Sequence, residues 1–143
     1  MPKAKRIVTR YARMGPREVF DIRRNGDFLE KVKAELEKPG VYVLYKDEEP
    51  HYIGKTGGSL GGRIHDHTKS TDKLYNFWNH FSAFEIVTEG DRDVIEAVLI
   101  ASIPTANSAN PKFAPIGLPK EVTDVLSKRR QIDVDQPRLT TKA

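Results

Sequence analysis

The chain has no cysteine among its 143 residues, which excludes both a disulfide framework and a thiolate metal centre. No apolar run is long enough to cross a bilayer, and the start, Met1-Pro2-Lys3-Ala4-Lys5-Arg6, lacks the apolar segment of a secretory signal. A cytoplasmic protein with no membrane partner is therefore expected. Charge of one sign is not dominant either: 24 Lys and Arg face 20 Asp and Glu, a formal net charge of +4. There is no internal repeat, low-complexity tract or obvious linker, and the length suits a single compact domain with a real core.

The charge that is present is unevenly placed. Residues 1–36 carry a net +5, residues 37–110 a net −4 and residues 111–143 a net +3. This predicts a basic N-terminal extension with a helix (1–36), a central domain (37–110), and a C-terminal loop, helix and basic tail (111–143). Basic flanks can hold phosphates around an acidic centre that tolerates a divalent cation, although terminal tails carry such charge simply to stay soluble. The segment through Gly15-Pro16 is expected to be mobile. A helix is expected from Asp27 to Glu37, where Leu29, Val32 and Leu36 make an apolar stripe to pack on the domain before Pro39-Gly40 ends it.

Glu96 is the only charged residue in Val94-Ile95-Glu96-Ala97-Val98-Leu99-Ile100-Ala101-Ser102-Ile103, a run that reads as a helix buried on nearly all sides. Desolvating an unpaired carboxylate costs several kcal/mol or more, so such a group calls for a cation, an arginine or a metal. The alternative is a capping box, with Asp93 as N-cap and Glu96 reaching back from the third helical position.

Upstream, Val41-Tyr42-Val43-Leu44-Tyr45 and His51-Tyr52-Ile53 flank the polar cluster Asp47-Glu48-Glu49-Pro50 and read as a hairpin. Side chains alternate faces along a strand, so Tyr42 and Tyr52 share a face if the loop holds three or five residues, and are separated by two or four. Ordinary cross-strand packing accounts for either tyrosine taken singly.

After the loop Lys55-Thr56-Gly57-Gly58-Ser59, Leu60 to about Lys69 has helical spacing, with Leu60 and Ile64 on one face and Arg63 and His67 as neighbours on another. Glycine inside a helix costs up to about 1 kcal/mol relative to alanine, so Gly61-Gly62 push the expected start to Gly62 or Arg63. An arginine matches two phosphate oxygens and a histidine moves a proton near neutral pH, a pairing that suits phosphoryl chemistry. Read alone, each is also an ordinary surface arginine or a capping histidine.

Residues 75–87 hold five of the twelve aromatics and predict a short helix followed by a third strand. Aromatics can stack on unpaired bases, but at these spacings they mostly build a core. Beyond Pro111 a second short helix is expected from about Lys120 to Arg130, ending in Lys128-Arg129-Arg130, with a disordered tail from Gln131.

In order and approximate spacing, Gly40-Val41-Tyr42, Tyr52-Ile53-Gly54-Lys55, Arg63, His67, Glu96, Leu99-Ile100, Pro104 and Asn107 resemble the GIY-YIG nuclease family, over residues 40–107, about half the chain. Asn107 fits the pattern better than Asn110. The resemblance implies an α/β (α+β) fold, a small, mainly antiparallel three-stranded sheet flanked by helices. It also implies a metal-dependent endonuclease that hydrolyses phosphodiester bonds in nucleic acid, DNA before RNA. Glu96 would hold one Mg²⁺ or Mn²⁺, Arg63 would clamp the scissile phosphate, and Tyr42 would position or deprotonate the attacking water. Tyr52 would support Tyr42 by hydrogen bonding, His67 would join the catalytic set, and Lys55 and Asn107 would contact substrate. With one site per chain, a double-strand break implies a homodimer or two visits. The alternatives are a noncatalytic nucleic-acid-binding module of the same fold and a protein-interaction domain using the Leu29, Val32, Leu36 stripe.

Overall fold

The computed structural model describes residues 6–21, 28–105 and 113–135, the last six of these by their backbone alone. The chain divides into two compact units, residues 1–113 and 114–143. The first is built from β1 (Arg10–Pro16), a 3₁₀ turn (Arg17–Phe20), α1 (Phe28–Glu35), β2 (Gly40–Lys46), β3 (Glu49–Thr56), α2 (Leu60–Asp66), β4 (His80–Glu85) and α3 (Glu89–Ser102). The second contains α4 (Lys120–Asp135).

The fold is α+β, with four antiparallel strands in the order β1-β4-β2-β3 rather than the three expected. The additional strand comes from the segment expected to be mobile. Arg10, Tyr11 and Ala12 pair with Glu85, Phe84 and Ala83, and Gly15 and Pro16 with Phe81 and His80. The register shifts between Ala12 and Gly15, where Met14 takes a φ of 52° and donates its N–H to Ser82 Oγ at 3.1 Å.

Strand alternation divides the core into two apolar layers. On one face Tyr42, Leu44, Phe81 and Ala83 pack with Leu60 and Ile64 of α2, with Leu74 and Trp78, and with Phe20. Leu29, Val32 and Leu36 cover this layer, so the expected α1 stripe packs on the domain. On the other face Val41, Val43, Ile53 and Ile86 meet Ile95, Leu99 and Ile100 of α3. Helices α2 and α3 therefore lie on opposite faces of the sheet.

Several local expectations change. Helix α2 begins at Leu60 and includes both glycines, because Ser59 caps it by accepting the Gly62 N–H at 2.9 Å. Gly61 also lets the chain of α1 come close: a Cβ there would stand 3.1 Å from Lys33 Cα, and its N–H donates to Leu36 O at 2.7 Å. The start of the expected helix at Asp27 lies outside the described residues. Residues 67–77 form turns rather than a short helix, and α4 runs on to Asp135, through the start of the expected tail.

Helix α3 starts four residues before the expected cap, with Thr88 at the N-cap position, so Asp93 and Glu96 are interior and make no capping box. Nor is it buried all round. Only Ala97 is fully buried, while Val94 and Val98 are 54% and 44% exposed, because the sheet covers just one side of the helix.

Candidate active site

The hairpin brings the two tyrosines together by a route that loop counting misses. Its turn has two residues, Asp47 and Glu48, which by alternation would separate Tyr42 from Tyr52. His51 is an extra residue in β3: Tyr45 pairs with Pro50 and Leu44 with Tyr52, so the register shifts by one. This bulge returns Tyr52 to the face of Tyr42. The rings lie 6.2 Å apart between centroids. Gly54, opposite Tyr42, completes the seat, since a Cβ there would stand 2.5 Å from the Tyr42 hydroxyl oxygen.

Tyr42 and His67 are both buried, at 1% exposure each, and the phenol oxygen is 2.9 Å from His67 Nε2. His67 is the C-cap of α2 and points inward, neither an exposed histidine nor a residue of the helix proper. Its Nδ1 is 3.1 Å from Asp72 Oδ1, and Trp78 Nε1 donates to its carbonyl at 3.1 Å. Asp72 also accepts the Leu74 N–H at 2.8 Å. Burial holds the imidazole below its usual pKa, against the pull of Asp72. Burial likewise opposes ionisation of Asp72, but its bonds to His67 and Leu74 prevail and keep the carboxyl below the ordinary value. A neutral imidazole beside a carboxylate carries its proton on Nδ1, which leaves Nε2 to accept from the Tyr42 hydroxyl.

Burial pushes the Tyr42 phenol far up, and Tyr52 adds to this. Arg63 acts in the opposite direction by charge and hydrogen bonding. The guanidinium meets a desolvation cost of its own, outweighed by Tyr42, Tyr52 and Asp72, so its charge is reinforced. Tyr52 joins through its ring, edge-on to His67 at 5.5 Å. Tyr42, Tyr52, Arg63 and His67 thus form one cluster. Asp72 completes it and was missed in sequence, where an aspartate in a polar Ser-Thr turn gives no signal of its partner.

Glu96 and Lys55 make a second group. Lys55 Nζ is 2.6 Å from Asp93 Oδ1 and 3.5 Å from Glu96 Oε1. Glu96 lies on α3, on the sheet face opposite α2, so this group and the Arg63 cluster flank the edge strand β3. The carboxylate does have a cationic partner, and that partner is Lys55. Among the described residues no three or more ligating side chains gather as a metal cage. Asn107 and Asn110 lie outside the described residues.

No protein-family model matches the chain, and no curated protein or solved structure does. No helix in the described residues is long and apolar enough to cross a membrane.

Proposed function

We propose that this chain is a divalent-metal-dependent endonuclease of the GIY-YIG type, hydrolysing phosphodiester bonds in nucleic acid, with DNA the first substrate to test. The supporting observation is the Tyr42–His67–Asp72 hydrogen-bond chain beside Arg63, in which strand β2 brings Tyr42 to residues of α2 and the turn after it.

The donor set suits a hard cation. Mg²⁺ or Mn²⁺ takes one or two carboxylates and keeps several waters, and Glu96 with Asp93 supplies oxygen donors that already attract a cation in Lys55. Glu96 would hold the ion, with Asp93 beside it. When bound, such an ion polarises a phosphoryl oxygen and lowers the pKa of water.

The chain's own residues supply positioning and proton transfer. Arg63 presents a planar fork to phosphate oxygens and stabilises charge as it develops. Tyr52 and Arg63 are half-buried where Tyr42 is fully buried, so they are the members of the cluster that a phosphate would meet first. With its high pKa, Tyr42 is a poor base alone; hydrogen-bonded to His67, it takes a proton from the attacking water while passing its own to Nε2. The water oxygen bonds to phosphorus, the bond to the leaving oxygen breaks, and that oxygen takes a proton from solvent.

The short Lys55 contacts favour one second reading, a noncatalytic nucleic-acid-binding module whose carboxylates are neutralised by its own lysine. The interaction-domain alternative loses its surface, because the Leu29, Val32, Leu36 stripe is packed on the core.

Labelled single-stranded, double-stranded and branched DNA, and RNA, incubated with Mg²⁺, Mn²⁺ or EDTA, separate these readings. Cleavage is expected with metal and not with EDTA, and Glu96→Ala should abolish it while the protein stays folded. No cutting of any substrate by the wild type, despite salt-sensitive binding, would select the noncatalytic module.

A further inference from the structure

We infer that His51 and Phe77 form a stacking platform for an unpaired base beside the phosphate site, so that the preferred substrate is a strand whose bases are free of the duplex stack. This rests on the endonuclease reading and narrows its substrate class.

The two rings are stacked, with centroids 5.8 Å apart and planes 18° from parallel. Phe77 remains 53% exposed, whereas Trp78 and Phe81 nearby are buried. The cluster of aromatics in residues 75–84 is therefore split: some rings build the core, and Phe77 and Tyr75 face water. A large ring held flat by a neighbour and left half in solvent adds little to a core. It does offer a ready surface for a π-face.

The position of the pair links it to the site. His51 is the bulged residue immediately before Tyr52, whose ring meets His67. Phe77 lies in the turn segment between Asp72, which holds His67 Nδ1, and Trp78, which donates to the His67 carbonyl. His51 is thus next in the chain to Tyr52 and Phe77 next to Trp78, two residues that both touch His67, which places the pair beside the His67 cluster.

Stacking on an aromatic ring needs an exposed base face, which a paired and stacked duplex does not offer. It tolerates any base, so no sequence preference is implied. Single strands and frayed or branched ends meet the requirement directly.

The test compares two labelled single strands of equal length and phosphate count, one of thymidine nucleotides and one abasic, by fluorescence anisotropy in EDTA to prevent cleavage. The wild type should bind the base-bearing strand more tightly by about 5- to 150-fold, the range for one base on one ring. Phe77→Ala should bring that strand down to the abasic affinity and leave abasic binding unchanged, while Phe77→Trp should restore the difference. Equal wild-type affinity for the two strands, or an equal loss on both in Phe77→Ala, would overturn the platform and leave the endonuclease reading standing. Binding of neither strand would overturn both.

Discussion

His67 shows how burial can make an ordinary residue type useful. Its ring is enclosed by Tyr42, Tyr52 and Asp72, and its low pKa arises chiefly from lost solvation, which Asp72 and, more weakly, Asp66 only partly offset. The consequence for stability has a definite sign. In the unfolded chain the imidazole titrates near about 6.5, whereas in the folded chain it resists protonation to lower pH. Between those two values the unfolded state binds more protons, so stability falls as pH drops below about 6.5 and levels out beneath the folded pKa. Asp72 contributes in the same direction at lower pH, from its ordinary range downward, because its folded pKa is depressed as well. Thermal unfolding from pH 7.5 to 5 should therefore show a declining midpoint in the wild type and a flatter profile in His67→Gln. An equally steep profile in the variant would assign the titration to another group. Sequence made His67 visible as a candidate through its spacing from Arg63. It could not reveal the inward orientation, which depends on the helix ending at Asp66 so that His67 caps it.

At the scale of the element, the hairpin carries both tyrosines of the site and illustrates what local sequence leaves open. The strands were legible from their β-branched and aromatic residues, and Asp47-Glu48 from its polar character. The register was not legible, because a bulge depends on partner strands and loops that a window of residues does not contain. A two-residue turn with a bulge at His51 reaches the same result as an odd loop, with Tyr42 and Tyr52 on one face. The turn itself is held under strain. Asp47 and Glu48 adopt φ values of 50° and 73°, where residues with a Cβ are disfavoured and Asn-Gly or Asp-Gly is the usual solution. Asn79 fastens it, accepting the Asp47 N–H at 3.1 Å, donating to Asp47 Oδ1 at 2.9 Å and donating its own N–H to Tyr45 O at 2.8 Å. Glu48→Gly removes the Cβ from the left-handed position and should stabilise the protein by about 1 kcal/mol. Chemical denaturation measures this directly, and a loss of stability would show that the Glu48 side chain makes a contribution larger than the strain.

Across the whole molecule, the folded unit is larger than the motif-bearing segment. The N-terminal residues looked like a basic tail because Arg10 and Arg13 dominate them, yet Arg10 is ion-paired with Glu35 at 2.7 Å and its strand extends the sheet through β4. The irregular register of β1 breaks the alternation by which a strand would have been recognised. The C-terminal unit presents the reverse case: its helix was legible from the cations Lys128-Arg129-Arg130 suited to a helix C-terminus, but it has no core of its own among the described residues. Val122, Val125 and Leu126 are all exposed, and an isolated helix of this length is marginal in water. Both apolar layers lie within residues 1–113. A chain ending at Phe113 should therefore keep a single cooperative unfolding transition, with a midpoint within a few degrees of the full protein. The same truncation removes the exposed basic residues Lys120, Lys128 and Arg129. If these contact phosphate, each lost contact reduces the slope of log affinity against log salt by about 0.7 on single strands. Binding to the truncated chain should thus weaken most at low salt and converge on the full-length affinity as salt rises. A parallel, salt-independent loss would indicate that residues 114–143 contribute through apolar contact, and loss of the cooperative transition would place them within the folded core.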